Sequence, residues 1–150
     1  MKEPYKELAL KISLKFLEIA KHREFGEYVT AIRSNMLEVL AEDKRENFRR
    51  LVIERLDFGT DTESLAFLAR KTQDTATSVR LACYKKLAKE NISITSFNKL
   101  ERLNLVINGL KDYDQLVLET CRVYLIQQFC LLPEHQSHDL AEEPLQQSWL

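Results

Sequence analysis

The chain has 150 residues, 45% of them hydrophobic and 30% charged, with a formal net charge of −1. That length and balance fit one ordinary folded domain and argue against a disordered chain. Only three Gly and three Pro are present. Sandwiches and barrels need many turn residues, so this shortage points to helices joined by short connections.

The first residues, MKEPYKEL, carry acids and lack a continuous apolar run, which is not the pattern of a signal peptide. No uncharged apolar run approaches the length of a membrane span. Periodicity predicts a first helix over residues 4–22, with Pro4 in its first turn. Leu8, Ile12, Leu14, Phe16, Leu17 and Ile19 recur there at steps near three and four. A second helix is expected over residues 27–42, with Val29, Ile32, Met36, Val39 and Leu40 inward. EDKRENFRRLVIERL, residues 42–56, follows, and DFGTDTES breaks the pattern. Gly59 is a helix stop there, and Thr60 and Glu63 have the spacing of a capping box for the next helix.

From residue 43 onward one spacing returns three times. Asp43 precedes Phe48-Arg49, then Val52 and Leu56. Asp74 precedes Val79-Arg80, then Cys83 and Leu87. Asp112 precedes Val117-Leu118, then Cys121 and Leu125. The longer offset also aligns Leu65 with Leu103, Phe67 with Leu105 and Leu68 with Val106, so each unit covers a helix, a turn and a second helix. Self-similarity at this period is the mark of stacked helical hairpins, none of which buries its apolar face alone. The expected organisation is an N-terminal helix pair over 1–42, repeat units over 43–130 and a divergent acidic tail over 131–150. The expected fold class is all-α, a right-handed armadillo-like solenoid segment of about three units.

The Asp has two readings that the residues leave open. It can cap free N–H groups at the start of its helix, where the dipole favours negative charge. It can also accept an Arg from the adjacent repeat and so build a ladder between layers, which the third unit leaves because Leu118 stands in place of Arg.

These units resemble HEAT repeats. The succession LARKTQDTATSVRLACYKKL and LERLNLVINGLKDYDQLVLETCRVYLIQQF resembles more particularly the condensin complex subunit 3 (CAP-G) family. The matching features are Leu68 and Arg70, Asp74, Val79-Arg80 with Tyr84, Arg102, and Gly109-Leu110 with Asp112; FRRLVIERL, residues 48–56, resembles the family's Val-Arg-Arg helix. Members are several times longer, so the resemblance implies a fragment or truncated relative. It further implies a non-catalytic HEAT arc held by a kleisin (CAP-H-like) subunit in a condensin holocomplex with SMC subunits. Such an arc grips duplex DNA during mitotic chromosome condensation in the nucleus.

Charge is uneven along the chain. Residues 44–102 carry 13 Lys and Arg against 8 Asp and Glu, and residues 111–150 carry 2 against 7. Solvated helix faces are one account of the basic middle. With the resemblance, the candidate DNA contacts are Lys44, Arg45, Arg49, Arg50, Arg70, Lys71, Arg80, Lys85 and Lys86, aligned as a stripe that binds phosphates without reading sequence. Arg49 and Arg80 are also the residues a ladder would use. Tyr84, Tyr113, Tyr124 and Phe129 are candidate kleisin contacts, with inter-repeat core as their alternative role.

Chemistry-bearing motifs are few. There is no Gly-rich phosphate loop, no H-E-x-x-H and no C-x-x-C. An enzyme, a cofactor, a small-molecule substrate and a membrane partner are therefore not expected. Cys130, His135 and His138, with Cys121, are a conceivable zinc set, but surface histidines beside a core thiol are the simpler account. His22 has no evident catalytic partner. The rival to a chromosomal role is a HEAT adaptor that binds a peptide.

Overall fold

The computed structural model describes residues 3–20, 26–40, 42–57 and 61–130. The described residues form helices, turns and connections, with no strand. Helix α1 spans Glu3–Ala20, and α2 spans Gly26–Asn35 and continues into a π turn, Met36–Leu40. Then follow α3 (Glu46–Arg55), α4 (Thr62–Lys71), α5 (Thr77–Lys89), a 3-10 turn (Ile94–Ser96), α6 (Lys99–Leu110) and α7 (Gln115–Cys130).

Local chemistry sets the helix ends. Asp61 caps α4 by accepting the Ser64 N–H at 2.9 Å. The cap is therefore Asp61, which satisfies a free N–H as Thr60 was expected to; Thr60 and Gly59 lie outside the described residues, and Glu63 falls in the first turn of α4. Asn98 and Glu101 make a reciprocal capping box at the start of α6. α5 ends in a Schellman motif: Asn91 adopts φ 48°, Ile92 N–H bonds to Leu87 O and Asn91 N–H to Ala88 O. Asn tolerates this left-handed conformation better than most residues.

The helices pack in two rows. α3 lies against α5 and α5 against α7, while α4 lies against α6; α4 also packs on α5, and α6 on α7. The residues that repeat in sequence are those that fill the space between them. Phe48, Val52 and Leu56, then Val79, Cys83 and Leu87, then Val117, Cys121 and Leu125 are all buried. Full burial of a Val or Leu side chain contributes about 1.5–3 kcal/mol each. Leu65, Phe67, Leu68 and Leu105 complete this core from the other row.

Gly109 is a point of close approach between the rows. A Cβ at this position would sit 2.7 Å from both the Cys121 Cβ and the Tyr84 hydroxyl. Its glycine is needed for room, since its φ is not positive.

The N-terminal helix departs from expectation. Leu10 is buried and Leu14 and Leu17 are half-buried, whereas Leu8, Ile12, Phe16 and Ile19 are exposed. α1 is apolar on more than one side, so its period shows a helix but does not choose the buried face. In α2 and its π turn, Met36 and Leu37 are buried and Ile32 is half-buried.

Candidate functional site

The repeated Asp and Arg meet between layers. Arg49 on α3 donates from Nε and Nη2 to the two carboxylate oxygens of Asp74, both at 2.8 Å. Arg80 on α5 does the same to Asp112, at 2.7 and 3.0 Å. Each Arg also reaches back: Arg49 Nη1 donates to Asp43 O at 2.7 Å, and Arg80 Nη1 to Asp74 O at 2.9 Å. Thus each guanidinium bridges the turn of its own unit and the turn of the next. Bidentate geometry of this kind suits the planar fork of Arg and not Lys.

The aspartates serve their own turns at the same time. Asp43, Asp74 and Asp112 accept the N–H of Arg45, Ala76 and Asp114, each at 2.9 Å and each two residues on. They stand two places ahead of the helix cap, in Asx turns, and are not caps themselves. Asp114 performs the capping on α7, accepting from Leu116 N and Val117 N. Asx turn and ladder coexist at Asp74 and Asp112 because one carboxylate has oxygens enough for both.

Electrostatics follow from this geometry. Burial alone would raise the Asp74 and Asp112 carboxyls, but hydrogen bonds and charge from Arg49 and Arg80 outweigh it and hold both below the usual carboxylate range. Arg80 is pushed above its ordinary value, chiefly by its hydrogen bonds to Asp112. Its guanidinium also lies 4.7 Å from the Tyr113 ring centre, a cation–π contact.

The nine cations expected along a DNA-binding edge are sorted differently by the structure. Arg49 and Arg80 are committed to the ladder. Lys71 is buried and pairs with Glu42 at 3.0 Å, and Lys86 is buried against Glu90 and Glu54 O. Arg45 bonds Asp43 and stacks on Phe48, and Arg50 lies 3.5 Å from Glu54. Lys44, Arg70 and Lys85 are exposed and make no ion pair among the described residues. Lys44 and Arg70 line one open cleft of about 400 Å³, which Glu42, Asp43 and Asp74 also line.

Stacking does not align these cations. The positions equivalent to Lys85 are Glu54 and Val123; those equivalent to Arg50 are Leu81 and Glu119; Arg70 corresponds to Asn108. Arg49 recurs in register with Arg80, and both are paired with aspartates; Arg55 recurs with Lys86, which is buried and paired with Glu90. The expected continuous stripe is therefore replaced by separate charges, because the repeat preserves packing positions and not surface ones.

The aromatics divide in the same way. Tyr84 and Tyr124 were candidate groove residues, but both are fully buried. Their hydroxyls donate to Leu105 O at 2.7 Å and Ile92 O at 2.8 Å. They lock one layer to the next and are withdrawn from any partner. Tyr113 and Phe129 are 82% and 70% exposed.

Sequence reasoning passed over Gln128, which is buried and bonds both Ile94 N and Asn91 across the α5–α6 connection. A polar residue between exposed Gln127 and Phe129 carries no local signal of that role. Cys83 and Cys121 are buried, and burial pushes the Cys121 thiol up to about 11. Cys130 is exposed; His22, His135 and His138 lie outside the described residues. No cluster able to hold a metal ion occurs among the described residues, and no described helix is long and apolar enough to cross a membrane. Comparison with protein-family models, with curated proteins and with solved structures finds no match for the chain.

Proposed function

We propose that the chain is a segment of a HEAT-type right-handed solenoid acting as a non-catalytic subunit of a condensin-like complex. In this reading it binds a kleisin subunit and, without sequence preference, duplex DNA, alongside SMC subunits on nuclear chromosomes. The observation that supports it best is the Asp–Arg register, repeated in sequence and joined across layers as the Arg49–Asp74 and Arg80–Asp112 pairs. The resemblance at Val79-Arg80, Tyr84 and Gly109-Leu110-x-Asp112 takes the reading from a HEAT array to the condensin family. Tyr113 and Phe129 are the surface aromatics left to meet a kleisin segment. Lys44, Arg70 and Lys85 are the cations left to meet phosphates.

Duplex DNA affinity at several salt concentrations, with and without a kleisin fragment, tests this. Three neutralised phosphates give a log–log salt slope of about −3, and replacing Lys44, Arg70 and Lys85 by Glu abolishes binding. An absence of both DNA and kleisin binding at low salt refutes the reading. A second reading, a peptide-binding adaptor, is favoured by the lack of register among the exposed cations; it expects peptide binding with no DNA affinity under any salt condition.

A further inference from the structure

Helix α1 carries two apolar stripes on opposite sides. Leu10 is buried, Leu14 and Leu17 pack on the core, and the helix rests on α2. On the other side Tyr5, Leu8, Ile12, Phe16 and Ile19 are 59%, 54%, 60%, 39% and 53% exposed. Steps of three, four, four and three put all five on one line along the helix. That line is about 21 Å long. An amphipathic helix within a single chain needs only one such stripe.

The charges beside the line bear on what it accepts. Lys11 pairs with Glu7 at 2.8 Å, Lys15 with Glu18 at 2.9 Å, and Lys6 lies 3.9 Å from Asp43. Each lysine of α1 thus has its carboxylate, and no surplus positive charge draws the helix to an anionic lipid surface. A second copy brings the same balanced charges and the same apolar line.

The spacing is symmetric about Ile12, so two copies can pair antiparallel around a two-fold axis at that residue. Tyr5 of one protomer then meets Ile19 of its partner, Leu8 meets Phe16, and Ile12 meets its own counterpart. Every aromatic ring faces an aliphatic side chain, whereas parallel pairing would set Tyr5 on Tyr5 and Phe16 on Phe16. Ala9 and Ser13 on one flank are small and let the helices approach closely. We infer that the exposed line of α1 is the seam of a homodimer, two α1 helices lying antiparallel across Ile12. At roughly 200 Å² for a whole large side chain, five half-exposed ones present on the order of 500 Å². A standard interface buries about 800 Å² per partner, so the dimer is weak and its population depends on concentration. The inference goes beyond the proposed function, since α1 holds none of the residues on which that reading rests.

Sedimentation of the full chain over a range of concentrations tests this. The expected result is a mass that rises from one chain toward two and stops there, because a two-fold seam closes on itself. Ile12→Asp sets two carboxylates on the axis and abolishes the two-chain species. Ile107→Asp, at an exposed position on α6, retains it, and circular dichroism checks that both variants keep their helices. A Cys130→Ser background removes the exposed thiol. In that background copper–phenanthroline oxidation cross-links Tyr5→Cys/Ile19→Cys into dimers but leaves Tyr5→Cys alone uncross-linked. A one-chain mass at every concentration overturns the inference, as does growth past two chains. So does a dimer that survives Ile12→Asp, cross-linking of Tyr5→Cys alone, or loss of the dimer in Ile107→Asp, which gives the seam to α6.

Discussion

Removing Arg80 tests the ladder most directly. Its side chain is 7% exposed and that of Asp112 is 4% exposed, so Arg80→Leu leaves a carboxylate away from water without its cation. It also leaves the carbonyls of Asp74 and Thr75 without their donor. Breaking one member of such a buried pair costs about 3–5 kcal/mol, a large share of the roughly 5–15 kcal/mol that holds a domain folded. Asp112→Asn should cost a similar amount by stranding the guanidinium, although its amide oxygen can still accept the Asp114 N–H. The double variant removes the charge that each single variant strands, so the two effects are not additive, with a coupling of about 2–3 kcal/mol. Urea unfolding followed by circular dichroism measures all four proteins. At a slope of about 2 kcal/mol per molar, the single variants should lose roughly 2 M in midpoint. Arg50→Leu is the control: Arg50 and Glu54 are 41% and 45% exposed, and such pairs contribute about 0–1 kcal/mol. If Arg80→Leu behaves like that control, or the coupling vanishes, the ladder is only a surface feature and the reasoning fails.

Two further outcomes follow from the same contacts. Gly109→Ala forces a methyl against Cys121 and Tyr84 and should cost about 1–3 kcal/mol by overpacking. Gly26→Ala meets no neighbour and should be close to neutral, with calorimetric melting as the measure. For pH, Asp74 and Asp112 have folded values below the ordinary carboxylate value. Their contribution is therefore complete above about pH 5 and is lost as pH falls below about 4, through the depressed folded values. Melting temperature against pH should be flat near neutrality and fall on the acid side, with a shallower acid limb in Asp112→Asn.

Much of this was legible from residue spacing. The apolar residues that repeat after Asp43, Asp74 and Asp112 are buried in all three units, because a period near 3.6 is a local property that states which residues share a side. The capping box of Asn98 and Glu101 has the same three-residue spacing as Thr60 and Glu63, where the sequence pattern predicts one. Asp61 does that work instead. Less legible was the fate of the cations. Lys71 and Lys86 read as surface charge, but both are buried beside Glu42 and Glu90, and no spacing rule brings Lys71 to a residue 29 positions away.

From the amino-acid order alone came the helices, their turns and the distance in sequence between each Arg and the next Asp. Only tertiary packing decided that Arg49 and Arg80 face the following turn, and that Tyr84 and Tyr124 point inward to carbonyls of neighbouring segments. It also decided that α1 buries Leu10 and leaves Ile12 in solvent. The physical reason is range. Helix formation depends on groups three or four residues apart, whereas burial and ion pairing depend on the offset between layers, which no single helix contains.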